Sequence, residues 1–119
     1  MILIFSVIFS RSGIDLSSFS SQSTAQVGSN NVPTLISSAV VGSQYLLVAA
    51  TSNWASSGST SGDYSSQLAA LILGATVNDR VGVQGGAVIL CITATATTIQ
   101  CNKNTGLNTN SFYYKYMRL

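Results

Sequence analysis

Residues 86–101 read Gly-Ala-Val-Ile-Leu-Cys-Ile-Thr-Ala-Thr-Ala-Thr-Thr-Ile-Gln-Cys. The stretch is apolar first and then alternates Thr with Ala. In an extended chain this alternation puts Thr93, Thr95 and Thr97 on one face and Ile92, Ala94 and Ala96 on the other. Residues 111–119 answer it with Phe112, Tyr113, Tyr114 and Tyr116. Both stretches hold the β-branched and aromatic residues that suit a pleated, half-buried surface. Between them, Asn102-Lys103-Asn104-Thr105-Gly106 has turn chemistry. The expectation is an all-β chain, an antiparallel β-sandwich or jelly roll with little or no helix.

The chain has 119 residues, which suits a single domain spanning residues 1–119. Only 7% of them are charged, with no His and no Glu; globular domains average about 25% charged. Ser, Thr, Asn, Gln and Gly must supply most of the polar surface, and a net charge of +2 gives little colloidal repulsion. Such a surface suits a subunit packed among copies of itself, or an extracellular module. No basic cluster invites nucleic acid.

The missing residues exclude most enzyme chemistry. Without His there is no Ser-His or Cys-His nucleophile pair. The three Asp are far apart in sequence, which argues against a paired-carboxylate hydrolase. Neither a phosphate-loop nor a dinucleotide fingerprint is present. Two Cys without His do not complete a zinc site in one chain. Asp63, or Asn78-Asp79, has oxygen ligands of the kind Ca²⁺ takes, but a turn residue bonding its own backbone is the plainer reading. The chain is expected to have no catalytic residues, no metal and no cofactor.

Eight of residues 1–9 are apolar: Met1, Ile2, Leu3, Ile4, Phe5, Val7, Ile8 and Phe9. No Lys or Arg precedes the run and no small-residue cleavage site closely follows it, unlike a secretory leader. It is far shorter than the ~20 residues that span a bilayer. A strand buried on both faces remains. A sandwich covers only one side of an outer strand, so Ile2, Ile4, Phe5, Ile8 and Phe9 are expected at a subunit boundary. Covering three or four such side chains there contributes about 5–10 kcal/mol before entropy.

Residues 17–33 are polar and read as an irregular or extended segment ending at Pro33. Residues 35–41 and 44–52 are strand candidates split by Gly42-Ser43. Residues 64–73 hold Leu68, Leu71 and Ile72 at helical spacing, but their shortness and Gly74 favour a strand paired with residues 45–52. Asn78-Asp79-Arg80 reads as a turn, Val81–Val83 as a short strand and Gly85-Gly86 as a break. Cys91 and Cys101 would face each other and bond if residues 91–101 formed a hairpin. In one continuous strand they would lie roughly 33 Å apart and could not bond.

Two aromatic groupings are candidate sites. Trp54, on a Ser/Gly-rich loop with Tyr45 and Tyr64 near its ends, has the chemistry to stack on a sugar or anchor a partner. It would equally fold back over the core or pack on a neighbour. In the last strand Phe112, Tyr114, Tyr116 and Arg118 face one way and Tyr113, Lys115, Met117 and Leu119 the other. One set fills the core; Tyr114 and Tyr116 are the candidates for a subunit seam.

The closing strand Phe112-Tyr113-Tyr114-Lys115-Tyr116-Met117-Arg118-Leu119, the Gln44-Tyr45-Leu46-Leu47-Val48 strand and the Ser/Thr/Gly/Asn surface resemble the small all-β subunits of virus and bacteriophage particles. These include fibre knobs, decoration proteins and trimeric jelly-roll heads similar to the tumour-necrosis-factor and complement-C1q group. The resemblance implies β-sandwich subunits that assemble symmetrically and bind through loops at one end. The apolar opening departs from it, standing where those heads carry a trimerising shaft or collagen-like stalk. The expectation is a non-enzymatic structural or attachment subunit in a virion or other extracellular assembly. Its partners would be copies of itself or other particle subunits, and a host-surface glycan. A pilin-like filament subunit donating residues 1–9 as a strand, and a carbohydrate-binding module using Trp54, are the alternatives.

Overall fold

The apolar stretch at residues 87–94 becomes a strand, β6 (Ala87–Ala94), with Val88, Leu90, Ile92 and Ala94 buried and Ala87, Ile89, Cys91 and Thr93 on the opposite face. The structure is a computed structural model and describes residues 16–28, 30–50, 64–83, 87–103 and 111–119. The other strands are β1 (Ser23–Gln26), β2 (Thr34–Ile36), β3 (Gln44–Ala50), β4 (Ile72–Leu73), β5 (Ala75–Val83), β7 (Ile99–Cys101) and β8 (Ser111–Arg118). One short helix, α1 (Ser65–Leu71), precedes β4. A single 3-10 turn covers Leu16–Ser18.

The strands form two antiparallel sheets, β1-β8-β3-β6-β5 and β2-β7-β4. The pairing is nested: β1 with β8, β2 with β7, β3 with β6. That nesting is the wrapped long hairpin of a jelly roll, with one change. β5 lies beside β6 at the edge of the larger sheet rather than beside β4 in the smaller one. Helix α1 packs on β5 and β6, and its Leu68 is wholly buried. The helix thus covers the end of the core that a fourth strand of the small sheet would otherwise close.

The core lies between the sheets. Leu35, Ile36, Ile72, Ile99 and Cys101 of the small sheet meet Ala25, Leu47, Ala49, Val88, Leu90, Ile92 and Phe112 of the large one. Each fully buried Leu, Ile or Val there contributes roughly 1.5–3 kcal/mol before entropy. Tyr114 ties the sheets together: its hydroxyl on β8 reaches the carbonyls of Leu35 at 3.0 Å and Thr34 at 3.3 Å on β2.

Three expectations change. Residues 64–73 do not pair with β3; they form α1 and then β4, which pairs with β7. The helical spacing of Leu68 and Leu71 prevails because the helix has a sheet to lie on. Asn78-Asp79-Arg80 is not a turn but a bulge inside β5, where Val77 pairs with Ile92 and Asp79 with Cys91, leaving Asn78 as the extra residue. Thr93 Oγ1 donates to Asn78 Oδ1 at 2.6 Å and steadies it. The bulge reverses the face on which the following residues point, so Asp79 lies on the outer face and the exposed Arg80 turns toward α1. Arg80 Nη1 then donates to the buried Ser65 Oγ at 2.7 Å, at the start of α1. Third, residues 86–101 are neither one strand nor a hairpin. The chain bends at Thr95–Thr97 and crosses from β6 in one sheet to β7 in the other.

The 35–41 candidate shortens to β2, which stops at Ile36. A turn follows in which Ser43 N donates to Val40 O at 3.0 Å, with Gly42 at φ +88. A positive φ at the third residue of such a turn favours Gly.

Candidate assembly face

The larger sheet has an inner face in the core and an outer face pointing away from it. The register places residues in rows across its central strands. One row of the outer face is Lys115, Val48, Ile89, Val81, running from β8 through β3 and β6 to β5. The next is Met117, Leu46, Cys91, Asp79. Tyr113, Ala50 and Ala87 lie beyond the first row, and Gln44, Thr93 and Thr76 beyond the second.

The two middle rows are apolar except for Lys115 and Asp79, and Met117 at the β8 end of the second row is buried. Leu46, Val48, Ile89 and Cys91 are half-buried, whereas Val81 is 49% and Tyr113 55% exposed. Leu46, Asp79, Arg80, Val81, Ile89 and Cys91 line a shallow depression of about 170 Å³. The only charged groups in the rows are Lys115 at the β8 border and Asp79 at the β5 border, both exposed. Asp79 Oδ1 accepts a hydrogen bond from Arg80 N at 2.8 Å, which holds the carboxylate at that border. Chemically this face can exclude water over a flat apolar area and place one charge of each sign on its margins.

Of the residues singled out from the sequence, Cys91 lies on this face, and Tyr45, Tyr64, Tyr114 and Tyr116 do not. Tyr45 and Tyr64 are core residues, 4% and 6% exposed, so neither ring offers a face to a sugar. The Tyr45 hydroxyl accepts a hydrogen bond from Val40 N at 2.9 Å. Tyr114 and Tyr116 are on the inner face and not at an outer seam: Tyr114 is buried, and Tyr116 packs edge-to-face on Tyr45 at 6.4 Å. The two-residue alternation of the last strand holds, but its inward set is the one with Tyr114 and Tyr116. Trp54, and Ile2, Ile4, Phe5, Ile8 and Phe9, lie outside the described residues.

Cys91 and Cys101 are both free thiols. Cys91 points out from the large sheet, whereas Cys101 is in the core on β7. The sheet therefore stands between them, and the expected alternative of a bond is not realised. Burial pushes the Cys101 thiol up to about 11. Burial also raises Tyr114; Tyr116 nearby adds to that rise and a hydrogen bond with Ser23 opposes it. Among the described residues no group of three or more His, Cys, Asp or Glu is placed to hold a metal ion.

The outer-face residues carry a signal in the sequence. A strand with one dry face needs an apolar residue only at every second position, yet Ala-Val-Ile-Leu-Cys-Ile and Leu-Leu-Val run without a break. Those runs mark β6 and β3 as strands that are apolar on both faces.

No family model matches the chain, and no curated protein or solved structure matches it. Among the described residues no helix is long and apolar enough to cross a membrane.

Proposed function

We propose that this chain is a non-enzymatic structural or attachment subunit of an extracellular assembly, of the kind found in phage or virus particles. The observation that carries the reading is the outer face of the large sheet, apolar through Val48, Ile89, Leu46 and Val81. Isolated apolar residues on a surface need no explanation, but a contiguous patch across neighbouring strands marks a contact surface. The jelly-roll strand order and the low charge of the whole chain support the same reading. Neither feature suits catalysis, which needs converging polar groups rather than a flat dry surface.

Light scattering on the purified chain, together with negative-stain imaging, tests the proposal. A discrete oligomer or a fibre is the expected result. A chain that stays monomeric at the highest soluble concentration overturns it.

A further inference from the structure

We infer that the outer face of the β8-β3-β6-β5 sheet pairs with the same face of a second copy of this chain, about a two-fold axis running along the strands. The inference rests on the assembly reading above and names the surface and its symmetry.

Two observations choose a second copy as the occupant. The first is the arrangement of charge. Lys115 and Asp79 stand at opposite borders of the face, in adjacent rows, with only apolar residues between them. Three strand spacings separate them, about 14 Å, and one row, about 7 Å. A two-fold axis parallel to the strands, passing between β3 and β6, exchanges the two borders. It brings Lys115 of each copy over the Asp79 border of the other, offset by about 7 Å along the strand, a distance close to the reach of a lysine stem. The apolar middles, Val48 and Ile89 with Leu46 and Cys91, then stack on themselves. A two-fold axis across the strands would instead place like charges on like. The face is therefore self-complementary for one symmetry and not for the other, as an isologous contact requires.

The second observation is area. The four strands of this face, spaced about 4.8 Å apart and about seven residues long, present a surface of roughly 440 Å² on each copy. Two such faces bury roughly 900 Å² in total, in the range of weak, reversible contacts rather than of permanent ones. The larger sheet is big enough for this contact, whereas the three-stranded sheet, with strands of two and three residues, is not.

Charge exchange tests the pairing without touching the core, because both residues are exposed. Lys115→Asp and Asp79→Lys, made singly in the full chain, each place like charges at both borders of the pair. Each is expected to weaken self-association about tenfold, measured by sedimentation equilibrium. The double variant restores the wild-type value. Within one copy the two residues are too far apart for direct compensation at physiological salt, where screening acts over about 8 Å. Ile89→Glu, at the centre, abolishes pairing while circular dichroism remains that of the wild type. Labelling of the Cys91 thiol by a maleimide slows as protein concentration rises through the association range. A chain lacking residues 1–9 still pairs.

If the chain assembles but the charge variants leave its association constant unchanged, this face is not the contact, and the assembly reading survives without it. If the wild type is monomeric throughout, both fall. If loss of residues 1–9 alone removes pairing while the double charge variant fails to rescue, those residues and not the sheet are the occupant, and the inference is overturned.

Discussion

Gly74 lies against the main-chain carbonyl of Thr98, with no room between them for a methyl group. Its φ of +84 is in the left-handed region, and its own carbonyl accepts hydrogen bonds from Thr95 N at 2.9 Å and Ala96 N at 3.1 Å. Here the step from β4 to β5 meets the crossing from β6 to β7, so two sheet-to-sheet passages share one close contact. Gly74→Ala should cost more than the about 1–2 kcal/mol of left-handed strain, because main chain must also move. Gly42, at φ +88 with open space around its Cα, is the matched control. Chemical denaturation should show Gly74→Ala losing clearly more stability than Gly42→Ala. Equal losses would mean that the Thr98 contact is unimportant.

Tyr114 is a polar link between two sheets whose facing residues form an apolar core. Tyr114→Phe keeps the ring, including its contact with Phe112 at 6.0 Å, and removes the hydroxyl with its hydrogen bonds to Leu35, Thr34 and Ser23. The expected loss is about 0.5–1.5 kcal/mol, read from urea unfolding. A variant as stable as the wild type would show that the hydroxyl is no better placed in the protein than in water.

The strands that bury one face are legible in the sequence, and the segments that share duties are not. β3, β6 and β8 stand out because an apolar run and a two-residue alternation are both local signals. The α1–β4 segment does not, because its helical spacing gains meaning only from a sheet supplied by residues about ten to thirty positions away. The Asn78 bulge resembles a turn because Asn and Asp serve both structures equally well. Alternation separates Tyr114 and Tyr116 from Tyr113 and Lys115, but it says which residues share a face and not which face is dry. Only the partner strands decide that.

The two thiols should differ sharply toward a reagent such as dithionitrobenzoate. Cys91 is half-buried on the outer face, and Cys101 is wholly buried with its Sγ 3.6 Å from the carbonyl of Asn102. In dilute native protein one thiol should titrate, and Cys91→Ser should abolish that signal. The second should appear only on unfolding, at a rate set by opening of the small sheet. Two thiols reacting together in the native state would contradict the placement of β7 in the core.

Alkaline pH should weaken the fold through Cys101. The thiol is raised from an ordinary value of 9.0 to about 11 by burial in the folded chain. Below pH 9 both folded and unfolded chains carry the proton, and the contribution is complete. Between pH 9 and 11 the unfolded chain ionises while the folded one does not, so stability falls as pH rises. The loss approaches about 2–3 kcal/mol by pH 11, since a tenfold difference in proton affinity between the two states corresponds to about 1.4 kcal/mol. Tyr114, also raised by burial, adds a further loss starting above its ordinary value of 10.0. Unfolding free energies of the wild type, Cys101→Ala and Tyr114→Phe, measured from pH 7 to 11, separate the two groups. Cys101→Ala should start lower, because it leaves a small cavity, and then decline less between pH 9 and 11. Tyr114→Phe should start lower by its lost hydrogen bond, run parallel to the wild type to pH 10 and decline less above it. Parallel profiles for the wild type and Cys101→Ala would show that ionisation of this thiol is not coupled to unfolding.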